Sequence, residues 1–186
     1  MFNIAIKTES NIFEKLLPEE YRHLRRRMIE TMLATDISKY LKEIATIKSK
    51  LEINKICNGE NLSKLINEDE KDVSKNFKKQ QDIFNLCIHF ADISNPAREQ
   101  YLNDKWVNML YEEFFNQGDI EANLNIDISP LCDRKTTNID SSQIGFISYV
   151  LKPSLEVLLN VVSEANYYLD KANKSLDRHK KLSEET

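Results

Sequence analysis

Two short stretches hold side chains whose types and spacing could do chemistry. In "HFADISNP", residues 89–96, the carboxylate of Asp92 ends an apolar run, and His89 stands three residues before it. On a helix that spacing puts both on one face. An acid there could cap the helix end, join an ion pair near the core, or bind a metal ion. His89 reads first as a core or edge histidine. A tight metal site takes three or more N, O or S ligands, and the sequence holds no HExxH, HxH or His-Asp pair. The second stretch is "SSQIGFISYV", where Phe146 follows Gln143 at i+3. A Gln amide donates and accepts at once, which suits a two-pronged bond to a planar base edge. An aromatic ring on the same face would make a purine slot, and the plainer reading is a core Phe beside a half-exposed Gln. Trp106, Leu110 and Phe114 recur at i, i+4 and i+8 and share one face, as core or as a ligand wall. Glu112 and Glu113 are adjacent on the same helix, so they point about 100° apart and form no acid–base dyad.

The elements that must position these residues are helical. Pro18 with Glu19 and Glu20 makes a helix start, since Pro loses nothing in the first turn and acids suit the positive end. Tyr21, Leu24, Met28 and Met32 follow at helical spacing. "ATDIS" interrupts, with Thr35, Asp36 or Ser38 able to cap a second helix. Residues 54–78 are polar and aperiodic and predict a long, insertion-like surface connection. A third helix runs into "HFADISNP" and stops at Asn95-Pro96. "REQYLNDKWVNMLYEEFFNQGD" predicts a helix ended by Gly118. A loop around Pro130 leads to a helix kinked or restarted near Pro153. A last helix through Tyr167 and Tyr168 runs into a charged tail, about 171–186. No strand pair or repeat is evident, so the fold class is all-α, a multi-helix bundle.

Composition narrows the function classes. The chain has 186 residues, 41% of them hydrophobic, enough for one domain with a core. A net charge of −4 and the lack of a basic-aromatic stripe argue against nucleic acid as a partner. Cys57, Cys87 and Cys132 are odd in number and form no CxxC, and Cys87 reads as a buried reduced thiol. A reducing, cytoplasmic setting fits, although a parent protein could be membrane-anchored. The N-terminal "MFNIAIKTES" is too short and polar for a signal peptide, and no membrane segment is expected in the chain.

Taken in order, "HFADISNP", a Trp ten residues after the Pro, "EEFFNQGD", "SPLCDR" and "SSQIGFI" resemble the motif set of the class I cyclic-nucleotide phosphodiesterases. The upstream "ATDISKY" is similar to that family's "ATDMSKH"-type motif, with Tyr40 in place of His. The resemblance spans about Asn11 to Val162. It implies an all-helical catalytic domain of signal transduction. That domain hydrolyses cyclic AMP or cyclic GMP to the 5′-monophosphate, with two divalent ions, zinc and magnesium or manganese, and a bridging hydroxide. By the same resemblance, Asp92 is a metal ligand and Asn95 lies near the base pocket. Gln143 bonds the purine and Phe146 stacks on it. Leu110 clamps the opposite face, Phe114 and Trp106 line the pocket, and Leu131 lies at its rim.

The chain also departs from the pattern. The family's metal-binding histidines, its His-Asp pair and its general-acid histidine belong upstream of "ATDMSKH" and have no counterpart here. The expectation is therefore a C-terminal portion of a catalytic domain that is inactive alone and prone to poor solubility or self-association, leaving room for a dimer. The alternative is a non-catalytic helical relative that binds a nucleotide or a protein. Cyclic AMP and cyclic GMP are not distinguished, because a Gln amide can flip to meet either base.

Overall fold

The computed structural model describes residues 11–57, 59–60 and 73–185. Helix α1 spans Pro18–Leu33, α2 Ile37–Ile53, α3 Val73–Ile93, α4 Gln100–Asn123, α5 Ile139–Phe146, α6 Lys152–Val161 and α7 Asn166–Glu185. Short 3₁₀ turns at Asn95–Ala97 and Ser163–Ala165 join α3 to α4 and α6 to α7. Among the described residues the one β feature is an isolated bridge between Cys57 and Glu60. The fold is all-α, as the sequence predicts.

Local signals set the helix ends. Pro18 opens α1, and the Glu20 carboxylate reaches back to accept from the Leu17 N–H at 2.8 Å. Asp36 caps α2 by accepting from the Ser38 N–H at 3.0 Å, and Asn138 caps α5 by accepting from the Ser141 N–H at 2.8 Å. Upstream of Pro153 the chain widens into a π turn, Ile147–Leu151. Pro153 has no N–H to give to the preceding turn. The buried Ser154 hydroxyl donates to the Val150 carbonyl at 2.6 Å instead, which satisfies an acceptor inside the widened turn.

The core gathers on that turn. Ile147, Leu151 and Leu155 have no exposed surface. Around them pack Ile44, Ile47 and Leu51 of α2, Leu86, Phe90 and Ile93 of α3, and Ala172 and Leu176 of α7. Each such large side chain, fully buried, contributes about 1.5–3 kcal/mol. By length and composition alone, Ile139–Val161 could cross a membrane: it has 23 residues, and its most apolar 18-residue window has a mean hydropathy of 1.3. Its apolar residues are instead the centre of the folded core. Helix α1, by contrast, has no buried residue. It rests on α3, where the Arg27 guanidinium lies 4.3 Å from the centre of the Phe77 ring and the Gln81 amide donates to the Thr31 hydroxyl at 2.9 Å.

Several expectations change. Helix α3 begins at Val73, inside the stretch read as a connection; residues 58 and 61–72 of that stretch lie outside the described residues. The segment from 171 is the amphipathic second half of α7, with Ala172, Leu176 and His179 buried. Cys87 is exposed and Cys132 is the buried thiol. Gly118 does not end α4, which continues to Asn123. A Cβ on Gly118 would stand 2.0 Å from the Cys132 carbonyl oxygen, so the glycine lets the 124–138 loop lie against the helix. Gly118→Ala is therefore expected to destabilise the fold by about 1–3 kcal/mol, read as a lower urea midpoint. Gly145→Ala, where nothing lies within 4 Å of the added carbon, serves as the control. Equal midpoints for the two variants would contradict this role for Gly118.

Candidate functional site

The last turns of α3 separate a buried face from an exposed one. His89, Phe90 and Ile93 are buried, whereas Asp92 is exposed. Asp92 is thus tolerated because its carboxylate points to solvent, and it is not the buried acid that its apolar neighbours in sequence suggest. His89 stacks on Tyr40 of α2, ring centres 3.6 Å apart and planes 13° from parallel. Its Nδ1 contacts the Ala34 carbonyl at 3.3 Å, and neither His89 Nε2 nor the Tyr40 hydroxyl has a partner among the described residues. Burial lowers the pKa of His89, against smaller upward pulls from the Ala34 carbonyl and the Asp92 charge. Burial likewise raises that of Tyr40.

Beyond Asp92 the chain turns through Asn95–Ala97, with Pro96 and Ala97 buried. The Ser94 hydroxyl donates to the Ala91 carbonyl at 2.8 Å and closes the helix end. Asn95 Nδ2 donates to Asn103 Oδ1 at 3.0 Å, and Asn103 Nδ2 donates to Ser175 Oγ at 3.0 Å. This relay of amides ties the end of α3 to the first turn of α4 and to α7.

Along α4, Val107 and Tyr111 make the buried stripe. Trp106 and Leu110, each one position earlier, are 54% and 38% exposed. Phe114 is half-buried, its ring edge-on to Tyr111 at 5.8 Å. These large apolar groups are therefore not core. The loop after α4 is clamped to it at two points. Glu121 accepts from the Ser129 N–H at 2.6 Å and from its hydroxyl at 2.7 Å, and Arg134 donates to Asp119 at 3.1 and 2.5 Å. The backbone bond from Ser129 leads the interactions that hold the Glu121 pKa down. The clamped loop presents Leu131 at a φ of +70°, exposed. A leucine in the left-handed region is strained, and at 46% exposure it recovers only part of its burial.

Helix α5 carries Gln143 and Phe146 on one side. Gln143 is 5% exposed, yet its side-chain amide bonds to no described residue while its atoms still reach solvent. Phe146 is half-buried and packs on the core cluster. Two contacts with α7 hold this helix. His179 Nδ1 lies 2.7 Å from Asp140 Oδ1, and the Ser141 and Ser183 hydroxyls lie 3.2 Å apart. The His179–Asp140 pair joins residues 39 apart, so no spacing rule could find it. Asn103 was also missed, having no signal in sequence beyond a polar residue on the first turn of a helix. The structure brings Asn95 to α4 and keeps Gln143 with Phe146. No described hydrogen bond or ring contact joins that pair to the α4 stripe.

Metal binding can be judged from the donors. Among the described residues no three His, Cys, Asp or Glu side chains converge. Asp92 offers one exposed carboxylate, which does not fit the needs of a tight zinc or magnesium site.

The chain belongs to the 3′5′-cyclic nucleotide phosphodiesterase family, whose sequence pattern matches residues 1–172. It is 35% identical over 166 residues to the mouse dual specificity calcium/calmodulin-dependent 3′,5′-cyclic nucleotide phosphodiesterase 1B, covering 89% of this chain and 27% of that protein. It is 34% identical over 161 residues to the rat 3′,5′-cyclic-AMP phosphodiesterase 4C, covering 87% of this chain and 28% of that one. The chain thus spans about a quarter of the length of these relatives. Among solved structures, the phosphodiesterase domain of the RhoPDE fusion protein from Salpingoeca rosetta superposes with a TM-score of 0.80 at 24% identity, over 99% of this chain and 54% of that one. LmjPDEB1 in complex with IBMX gives 0.80 at 20% identity, over 100% and 51%. These likenesses carry the fold.

His89 yields a pH test. Its folded pKa lies below the ordinary 6.5, so the unfolded chain takes up the proton first as pH falls. Its contribution to stability is full above 6.5 and declines as pH falls from there toward the lowered folded value. The drop in urea midpoint between pH 7.5 and 5.5 should be smaller in His89→Gln than in the wild type. An equal drop in both would mean that His89 does not resist protonation.

Proposed function

We propose that this chain forms the purine-recognition part of a catalytic domain that hydrolyses 3′,5′-cyclic nucleotides to 5′-monophosphates. The observation that carries the reading is Gln143. Its side chain is nearly buried, yet its amide bonds to no other described residue and stays open to solvent, so a purine edge can meet it with a matching acceptor and donor. Phe146, one turn on, offers a ring to stack on the base. Leu110 closes the opposite side, Trp106, Phe114 and Leu131 add apolar wall, and Asn95, held by its bond to Asn103, stands near the base pocket. The exposure of Trp106, Leu110 and Leu131 supports a binding role over a core role.

In the reaction, water adds to phosphorus, the bond from phosphorus to O3′ breaks, and O3′ takes a proton. What this chain supplies is placement of the base, which fixes where phosphorus lies. Divalent ions are the cofactors that the family reading implies, and Asp92 would be only one of the several donors such an ion needs. The remaining donors and the proton source would come from residues this chain does not carry. The exposed apolar residues on and beside α1 (Leu17, Met32, Leu33) support such a complement, since they offer a face for it to cover. The absence of three convergent donors among the described residues favours a second reading, a non-catalytic relative that binds the nucleotide without turning it over.

Trp106 is the sole tryptophan and a built-in reporter. Its fluorescence should change saturably on titration with cyclic AMP or cyclic GMP, and Gln143→Ala should weaken that binding about tenfold. Phosphodiesterase turnover with added magnesium and zinc should be absent from the 186-residue chain. It should appear when the chain is supplied with an upstream segment bearing the missing histidine motifs, and its absence there would favour the second reading. Turnover by the 186 residues alone would show the donor assignment to be wrong. A flat fluorescence titration with both nucleotides would remove the base-pocket reading itself.

A further inference from the structure

We infer that the small cleft between the first turn of α4 and the middle of α7 binds a phosphate dianion. The inference stands apart from the base-pocket reading. The cleft holds about 170 Å³, room for an ion of that size with a few waters, each water taking about 30 Å³ in the liquid. Four cations line it: Arg98, Lys171, Lys174 and Arg178. Their convergence runs against the composition of the chain, whose net charge is −4. Two of the four are neutralised. Lys171 pairs with Glu99 at 2.7 Å, and Arg178 pairs with Asp104. Among the described residues Arg98 and Lys174 form no ion pair; Lys174 only lies in the field of Glu99, the one carboxylate that also lines the cleft. Two uncompensated positive charges in one concavity repel each other. A phosphate group, carrying about −1.5 to −2 at neutral pH, matches them, and the guanidinium fork of Arg98 suits its oxygens.

The second observation concerns a hydroxyl. Ser175 Oγ accepts from the buried Asn103, which in turn accepts from Asn95. The relay fixes Ser175 as the terminal group, with its own O–H given to no described acceptor. Ser175 lines the same cleft. A directed relay of donors therefore ends on an unused O–H beside two unpaired cations, and an anion with several acceptor oxygens answers all three. Inorganic phosphate and the phosphoryl group of a nucleoside monophosphate share this chemistry.

The test titrates the 186-residue chain with inorganic phosphate by calorimetry, at constant ionic strength balanced with sodium chloride. Saturable binding is expected. Arg98→Gln and Lys174→Gln should each weaken it about tenfold, and Ser175→Ala should weaken it by less. Lys180→Gln, an exposed lysine of α7 outside the cleft, should leave it unchanged. Arg98 and Lys174 are exposed, and their removal leaves the fold intact, as a parallel melt checks. A second arm uses adenosine 5′-monophosphate with Gln143→Ala. Loss of monophosphate binding in Lys174→Gln but not in Gln143→Ala identifies the phosphoryl group at this cleft and supports the inference. Phosphate binding no better than chloride overturns it, as do equal affinities for the cleft variants and Lys180→Gln, or monophosphate binding that depends on Gln143 alone.

Discussion

The arrangement depends on one buried amide. Asn103 is 2% exposed, accepts from Asn95 at the turn after α3, and donates to Ser175 on α7. Both of its bonds leave its own helix. Losing either would strand a polar group away from water at a cost of about 1–3 kcal/mol, a sizeable share of the net stability of a domain. The amide therefore fixes how three elements meet. The end of α3 carries Asp92 outward, α4 sets out with its aromatic stripe, and α7 crosses back to hold α5. The phosphate cleft is the outward-facing end of the same relay.

A second constraint is the π turn at Ile147–Leu151. It lies between the α5 pair, Gln143 and Phe146, and the core segment that follows Pro153. With Ile147 and Leu151 fully enclosed, the turn cannot rotate without opening the centre of the core. The side of α5 that carries Gln143 and Phe146 is thereby tied to the centre of the core. His179 and Ser183 of α7 grip its first turn through Asp140 and Ser141. Rigid backing suits a recognition surface, because ordering costs on binding fall when the groups are already placed.

Much of this was legible in the sequence, for reasons that can be named. Pro18, Asp36 and Asn95-Pro96 mark helix boundaries by local backbone chemistry, and local chemistry survives folding. The motif order from "HFADISNP" to "SSQIGFI" carries the family, and the matching pattern over residues 1–172 bears that out. What failed was long-range. Gly118 looks like a helix stop until the carbonyl of Cys132 is seen against it. Cys87 sits in an apolar run, but helix phase turns it to the surface. His179 reads as part of a charged tail, whereas its partner lies 39 residues away. The stripe of Trp106 and Leu110 has the spacing of core, and only its exposure separates it from Val107 and Tyr111.

Nuclear Overhauser contacts in the nucleotide complex would report whether a purine lodges against Phe146 and Leu110, as proposed. With 5′-monophosphate or cyclic nucleotide bound, the purine ring protons should show cross-peaks to the Phe146 ring and the Leu110 methyls. Contacts confined to the aromatic cleft of Phe90, Tyr167 and Tyr168, on the α3 and α7 side, would place the base there and overturn the proposed pocket.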